Sequence, residues 1–348
     1  MRVRYALAAA LVAGAAGCDS SSTHGGGAGL VAIGAGLRGP SGLHATVYAR
    51  GIRHVSAFAF DARGRLWATA SGATSHGGDG VFLIARRGAQ PVRVVAGPKG
   101  PLGLVWVGHS LYVSSLGAVT RFSELRGTHF GDRRTVLNGP VAAGENNNIV
   151  RAPGGRLVMG ISSTCDHCVP PSPWAATIVS FRLDGSGLAV FARGIRAAYG
   201  LAFYPGTSDL LATMNQRDDL GAKTPGDWLA LVRSGEDWGF PACYGQGGPA
   251  CGGVPEPVAV LDRHAAAGGV AVLTAGSVGG RFAGSAVVAE WQTGKVLRVP
   301  LTRTSTGYRG TAQPFVTGIA NPLPVAITRS GALLIGDWSS GTIYRISG

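Results

Sequence analysis

The most polar cluster in the chain is Glu145 together with the three asparagines that follow it, Asn146–Asn148, just before an apolar stretch from Ile149. A carboxylate can act as a general base when desolvation raises its pKa. Carboxylate and amide oxygens are also ligands of hard cations such as Ca²⁺. Glu145 is therefore a candidate base or metal ligand, and a solvated loop before a strand is the alternative interpretation.

A second candidate group consists of Arg196 and the polar run Asn215–Asp219, which flank the short apolar segments Leu201–Phe203 and Leu210–Ala212. A guanidinium binds carboxylates through parallel hydrogen bonds, so Arg196 could hold an anionic ligand. A salt bridge between neighbouring sheets is the alternative. Asp218 and Asp219 are expected to cap a loop, because aspartate side chains bond nearby main-chain amides.

Four cysteines, Cys165, Cys168, Cys243 and Cys251, follow the N-terminal region. An even number in an exported chain favours disulfides. Two local pairs, Cys165–Cys168 and Cys243–Cys251, are the simplest of three possible connectivities. A zinc site that uses His167 with the four thiolates is the alternative.

The N-terminus has the features of a targeting segment. Arg2 and Arg4 precede an apolar run at 5–16, which is too short to span a bilayer, and small residues then end at Cys18. This pattern predicts a lipoprotein signal peptide over 1–18 with Cys18 lipidated; an ordinary secretory signal is the alternative. Residues 19–42 are predicted to be a flexible Gly/Ser tether and 43–348 the folded domain. We expect an exported protein, attached to the cell envelope only by its lipid.

Composition narrows the fold class. The chain has 348 residues, of which 57 are glycine and only 14% are charged. This balance favours many short strands joined by tight turns. The formal net charge is +13, or +11 without Arg2 and Arg4. No basic run and no alternation of basic and aromatic residues is present, so nucleic acid is not an expected partner.

A repeat of strand, glycine turn, strand, loop and two further strands recurs along the chain. Six units of about 45 residues can be followed, and the last, from Pro324, contains only three strands. His44–Ala49 can supply the missing strand, which would close a ring and remove exposed sheet edges. The prediction is an all-β, six-bladed β-propeller closed by its N-terminal strand; an open sandwich or two smaller barrels are the alternatives.

Five segments resemble the soluble quinoprotein sugar dehydrogenases, the glucose/sorbosone dehydrogenase family. They are Gly160–Cys168, Val190–Arg196, Tyr199–Phe203, Asn215–Asp219 and Trp238–Gly245. The resemblance implies a propeller whose top face holds pyrroloquinoline quinone (PQQ) and Ca²⁺. It also implies oxidation of a sugar or related alcohol, with electrons passing to an external acceptor.

The same resemblance assigns roles to individual residues. Arg196, Asn215 and Gln216 correspond to cofactor-binding positions, and the main-chain carbonyls of Gln216 and Arg217 correspond to calcium ligands. Glu145 stands where the family has its catalytic histidine. The chain departs from the family at three positions where the family has polar residues, namely Ala197, Met214 and Trp228. It also lacks the arginine that the family has near Asn321–Pro324.

Two other function classes remain open. The departures from the family favour a non-catalytic propeller that binds a ligand or a protein. A metal-dependent hydrolase of the lactonase type would instead need Glu145, Asn215 and Asp337 to share one ion. That hypothesis requires their side-chain oxygens to converge.

Overall fold

The computed structural model describes residues 29–72, 78–139, 144–245 and 251–348. Strands of five to nine residues form six antiparallel four-stranded blades, as predicted, and a hairpin adds two more strands to the sheet of blade 5. Blade 1 comprises Val55–Phe60, Leu66–Ala70, Gly80–Ile84 and Val92–Ala96, and blade 2 comprises Gly103–Val107, Ser110–Ser115, Ala118–Arg126 and His129–Leu137. Blade 3 comprises Asn146–Arg151, Leu157–Ile161, Thr177–Phe181 and Ala189–Arg193, and blade 4 comprises Ala198–Phe203, Leu210–Met214, Gly226–Val232 and Ala259–Arg263. Blade 5 comprises Ala267–Leu273, Ser285–Glu290, Lys295–Pro300 and Gln313–Thr317, and blade 6 comprises Pro322–Ile327, Leu333–Asp337, Ile343–Ser347 and His44–Ala49.

The six blades form a ring. The first strand of each blade contacts the first strand of the next, and that of blade 6 contacts that of blade 1. His44–Ala49 pairs antiparallel with Ile343–Ser347, so the fourth strand of blade 6 comes from the beginning of the domain. The chain is therefore an all-β, six-bladed propeller.

Burial explains why the strands read as continuous apolar runs. Every residue is buried in the second strands of five blades, Leu66–Ala70, Leu157–Ile161, Leu210–Met214, Ser285–Glu290 and Leu333–Asp337. These strands lie between two neighbouring sheets, so both of their faces are covered and no polar alternation is selected. The apolar clusters accordingly combine residues of adjacent blades.

A hairpin of Val31–Gly34 and Leu37–Gly39 extends the outer edge of blade 5, where Arg38 pairs with Thr317. Ile33 and Leu37 are buried in the cluster that contains Phe315. The prediction of a flexible tether over the whole of 19–42 is therefore wrong for these residues. Their apolar side chains are buried against the edge of blade 5. The Gly-rich composition of the segment did not indicate this contact.

The loops divide between two faces of the ring. The face here called the top carries the connections from each fourth strand to the next blade and the loops between second and third strands. A short 3₁₀ turn, Gly221–Lys223, lies in one of these loops. A two-residue ladder, Thr302–Arg303 with Tyr308–Arg309, lies on the opposite face. No helix within the described ranges is long and apolar enough to cross a membrane.

Candidate functional site

Glu145 lies on the top face, directly before the first strand of blade 3. Its carbonyl accepts a hydrogen bond from Ser162 N–H at 2.9 Å, which fixes the main chain. The side chain is accessible to water, yet desolvation by the surrounding protein raises its pKa, and the charge of Arg196 partly offsets this rise. Glu145 is thus a water-accessible but partly desolvated carboxylate, with Arg196 within electrostatic reach.

The asparagines after Glu145 are part of the strand rather than of a solvated loop, so that interpretation is wrong for Asn146 and Asn147. Both are buried. Asn146 Nδ2 donates to the Ser115 carbonyl at 2.7 Å and Asn147 Nδ2 donates to Ser162 Oγ at 2.8 Å. Within the described part of the chain, neither Oδ1 atom receives a hydrogen bond. Two buried amide oxygens of the residues that follow Glu145 in the chain therefore lack a donor among the described residues.

Tyr199 lies in a segment that the sequence singled out, but the sequence indicated no role for this residue on its own. It lies on the first strand of blade 4, and its hydroxyl donates to the carbonyl of Ser56 on blade 1 at 3.1 Å. Because blades 1 and 4 lie opposite each other in the ring, this side chain crosses the central opening. Burial raises the pKa of Tyr199, and the charge of Glu145 raises it further. Tyr199 is consequently a neutral phenol near Glu145.

Arg196 connects two loops of the top face. Its Nε and Nη2 donate to the carbonyl and carboxylate of Asp166 at 2.9 and 2.6 Å, and Nη1 donates to the Asn215 carbonyl at 3.2 Å. A guanidinium has five N–H donors, so two remain for another acceptor. The salt bridge anticipated as an alternative exists, with Asp166 as its partner.

Gln216 is anchored from below by a buried carboxylate. Asp227 accepts from Gln216 N–H at 2.8 Å and from Ala267 N–H of blade 5 at 3.0 Å. Burial raises the pKa of Asp227 to about 6 against the opposing effect of these bonds. The amide oxygen of Gln216, in the orientation that satisfies its surroundings, accepts from Trp228 Nε1 at 3.2 Å and Gly245 N–H at 3.1 Å. The Gln216 side chain therefore faces the protein.

Oxygen atoms without partners gather in the same loop. Gln216 and Arg217 are buried, and no described group donates a hydrogen bond to either of their main-chain carbonyls. The buried Oδ1 of Asn215 is also without a donor among the described residues. Buried oxygens are normally paired, so such a group fits a hard cation better than it fits apolar surroundings.

The end of this loop is held by ion pairs rather than by simple aspartate caps. Arg217 binds Asp219 through two hydrogen bonds of 2.6 Å, and its guanidinium lies 4.5 Å from the Tyr244 ring centroid. Asp218 Oδ1 accepts a hydrogen bond from His264 Nδ1 at 2.7 Å. This contact raises the pKa of His264.

Both local disulfides, Cys165–Cys168 and Cys243–Cys251, are present, as predicted. The zinc alternative is therefore wrong. The two disulfide segments meet where His167 Nε2 lies 3.1 Å from the Pro241 carbonyl. They form one rim of the top face beside Arg196.

The Asp337 side chain accepts hydrogen bonds from the turn that follows it and from the neighbouring Asn321. Its Oδ1 accepts from Asn321 N–H at 3.1 Å and Ser339 N–H at 3.2 Å, and its Oδ2 accepts from Ser340 Oγ at 2.7 Å. Among the residues that the structure describes, no three His, Cys, Asp or Glu side chains converge on a metal position. The carboxylate that the hydrolase hypothesis takes from blade 6 is thus already engaged.

The blade 5–6 side of the top face is aromatic. Trp338 lies 4.3 Å from the His54 ring and 5.5 Å from the Trp291 ring, measured between centroids. Its Nε1 donates to the Ser71 carbonyl at 3.0 Å. The neighbouring segment 321–324 carries no cation.

Cys18 and the signal peptide predicted over 1–18 lie outside the described residues.

No protein-family model and no curated protein matches this sequence. Solved structures do. The PQQ-bound aldose sugar dehydrogenase of Streptomyces coelicolor has a TM-score of 0.69 and 19% identity, covering 89% of this chain and 99% of that one. The holo PQQ domain of Coprinopsis cinerea pyranose dehydrogenase has a TM-score of 0.73 and 15% identity, covering 90% and 97%. The calcium structure of the Trichoderma reesei family AA12 enzyme has a TM-score of 0.72 and 16% identity, with the same coverage.

These similarities establish the fold. The chain is a six-bladed propeller of the kind found in soluble PQQ-dependent sugar dehydrogenases, which confirms the fold that the sequence resemblance implied.

Proposed function

We propose that the protein is a PQQ- and calcium-dependent dehydrogenase of sugars or related alcohols. One observation carries the proposal: a partly desolvated carboxylate, Glu145, lies within electrostatic reach of Arg196, which bonds to the loop of unpartnered oxygens at Asn215–Arg217. The fold is shared with neighbours whose structures hold PQQ or calcium.

The residues present fit both groups. PQQ is a tricarboxylate, and Arg196 retains two N–H donors on a guanidinium that Asp166 already orients. The carbonyls of Gln216 and Arg217 and the Oδ1 of Asn215 supply neutral oxygens of the type that Ca²⁺ binds. Gln216 would act through its carbonyl, because its amide bonds to Trp228 and Gly245.

Glu145 is the proposed base. When bound, PQQ supplies a two-electron acceptor for the hydrogen of the alcohol carbon. The Glu145 carboxylate would take the hydroxyl proton of the substrate, and its raised pKa makes it a stronger base than an ordinary glutamate. Tyr199 has a raised pKa, so it would stay protonated, and its one O–H already donates to the Ser56 carbonyl; it would therefore not act as a base.

A specific observation favours the second candidate, a non-catalytic binding propeller. Three nitrogens of Arg196 already bond to the chain, and segment 321–324 carries no arginine. In such a protein the cation would be structural, and quinone would find too few charged partners.

We also propose export and lipid anchoring through Cys18, with an external electron acceptor as the reaction partner. The basic and apolar N-terminal segments and the two disulfides support an oxidising compartment. Cys18→Ser should shift the protein from the membrane fraction to the soluble fraction. An unchanged distribution would contradict the lipid anchor.

The decisive experiment is a PQQ titration of the purified protein, with Ca²⁺ and with a chelator, followed by calorimetry and absorbance. Saturable, calcium-dependent binding, followed by reduction of an artificial acceptor with aldoses, is the expected result. No binding at high micromolar PQQ would contradict the dehydrogenase and leave the non-catalytic propeller.

A further inference from the structure

Asp166, inside the Cys165–Cys168 disulfide ring, bonds to two separate parts of the top face. Its Oδ1 accepts from Arg196 Nη2 at 2.6 Å and from Asp218 N–H at 3.0 Å. Its Oδ2 accepts from the N–H groups of Asp218 and Asp219 at 3.0 and 2.9 Å. Its carbonyl accepts from Arg196 Nε at 2.9 Å.

These bonds join three irregular segments that no sheet ladder fixes. They are the disulfide loop of blade 3, the connection to blade 4 that carries Arg196, and the blade 4 loop that follows the Gln216 and Arg217 carbonyls. Hydrogen bonds to an ionised acceptor are about twice as strong as neutral ones. One carboxylate therefore fixes the guanidinium and the oxygen loop relative to each other.

The disulfide in turn fixes Asp166. It closes a ring between Cys165 and Cys168, so the main chain on either side of Asp166 has little freedom. The side chain of Asp166 is about one-third exposed, at 34%, whereas that of Arg196 is 17% exposed. The carboxylate thus holds the half-buried cation from the rim.

We infer that Asp166 is a positioning residue that couples quinone binding to calcium binding, by holding Arg196 and the 215–219 loop in one arrangement. This inference rests on the proposed function. Calcium bound to the Gln216 and Arg217 carbonyls would order the 215–219 loop. The N–H groups of Asp218 and Asp219 in this loop donate hydrogen bonds to Asp166. The same carboxylate orients Arg196, so ordering at one group lowers the ordering needed at the other.

Asp166→Asn tests the inference. Asparagine keeps the size of the side chain but removes its charge and places an NH₂ donor against groups that are themselves donors. In the wild type, we expect saturating Ca²⁺ to tighten PQQ binding at least tenfold. In Asp166→Asn, quinone affinity with Ca²⁺ should fall about tenfold and the calcium effect should drop below threefold. Asp184→Asn, an aspartate that caps a turn on the opposite face through Ser186 N–H, is the matched control and should behave as wild type.

A readout without cofactor separates this inference from the proposed function. Amide hydrogen exchange at Asp218 and Asp219 should be about tenfold faster in Asp166→Asn than in wild type or Asp184→Asn. If wild type binds no PQQ, the proposed function fails; the inferred coupling fails with it, while faster exchange still supports Asp166 as the link between the loops. Unchanged exchange, or unchanged coupling in a quinone-binding wild type, would overturn the inference.

A second variant covers the case in which Asp166→Asn does not fold. Cys165→Ala/Cys168→Ala retains Asp166 but opens its ring, and closing so short a loop adds little stability compared with longer loops. We expect exchange at Asp218 and Asp219 to accelerate two- to fivefold. No acceleration would show that the ring does not position Asp166, and would overturn the inferred arrangement.

Discussion

The two sides of the top face have the same strands and opposite chemistry. The blade 3–4 side is ionic and contains Glu145, Arg196 and the paired Arg217 and Asp219. The blade 5–6 side presents the rings of Trp291 and Trp338, and Lys295 of blade 5 is engaged in ion pairs with Asp262 and Glu290. The blade 3–4 side carries Arg196, whose guanidinium keeps two N–H groups for an anionic ligand. The difference shows how one repeated scaffold can carry a polarised site.

Two opposite blades, 1 and 4, nevertheless share one kind of joint to the next blade. Asp79 of blade 1 accepts from Gly72 N–H in its own loop and from Gly100 N–H of the next connection, both at 2.9 Å. Asp227 makes the corresponding pair of bonds in blade 4. In blades 1 and 4, an aspartate at the start of the third strand thus links a loop to the following blade. The loops of these two blades differ in chemistry although this joint has the same form.

The largest effect is expected at Glu145. Glu145→Gln keeps the shape but removes the proton acceptor, so kcat should fall by about 10²–10⁴-fold while PQQ affinity changes little. In the wild type the base must be ionised, and its pKa is raised. Activity should therefore decline with falling pH above the ordinary glutamate range. Steady-state rates with an artificial acceptor between pH 4 and 8 measure both effects, and full activity of Glu145→Gln would exclude this base.

Asp227 should give the protein a pH-dependent stability. Its folded pKa of about 6 lies above the ordinary value of 3.8, so the native state binds the proton more tightly than the unfolded state. The free energy of unfolding should fall as pH rises from about 4 to 7, by up to about 3 kcal/mol from this group.

Denaturant titrations at several pH values measure this slope. Asp227→Asn should flatten it, although the loss of one acceptor lowers stability by about 1–3 kcal/mol at every pH. Asp79→Asn disrupts the matching joint of blade 1 but keeps Asp227, so the slope should persist. Equal slopes in all three proteins would assign the titration elsewhere.

Arg196→Ala should weaken PQQ binding by about 10–100-fold, because it removes charged hydrogen bonds to a carboxylate. Arg193→Ala is the matched control, since that exposed side chain forms an ion pair with Asp237 at the rim. Calorimetric titrations compare the two variants. Equal affinities in Arg196→Ala and wild type would make the Asp166 salt bridge purely structural.

Among these variants, the substitution on the aromatic side should have the smallest effect on quinone binding. Trp338→Ala removes the contacts with His54 and Trp291 and should lower the free energy of unfolding by about 2 kcal/mol. Quinone affinity should stay within about twofold of wild type. If Trp338→Ala weakens PQQ binding more than Arg196→Ala does, stacking rather than charge dominates recognition, and the comparison reverses.

The fold was more predictable than the site. Apolar runs such as Leu66–Ala70 mark strands because neighbouring blades cover both faces. The sequence did not show that Asn146 and Asn147 continue a strand, since their burial depends on partners in blade 2, the Ser115 carbonyl and the Ser114 hydroxyl. Asp166 and Tyr199 lay in segments that were recognised, but nothing local distinguished them.

The amino-acid sequence alone indicated the number of blades and the loops that carry polar residues, and it favoured the two local disulfides that the structure confirms, because periodicity and short-range spacing are local properties. The tertiary structure decided which polar groups meet. Tyr199 reaches Ser56, and Asp166 reaches Arg196, only after the ring brings distant loops together. It also decided the pKa directions of Glu145 and Asp227, because desolvation depends on all the surrounding blades and not on neighbouring residues in the chain.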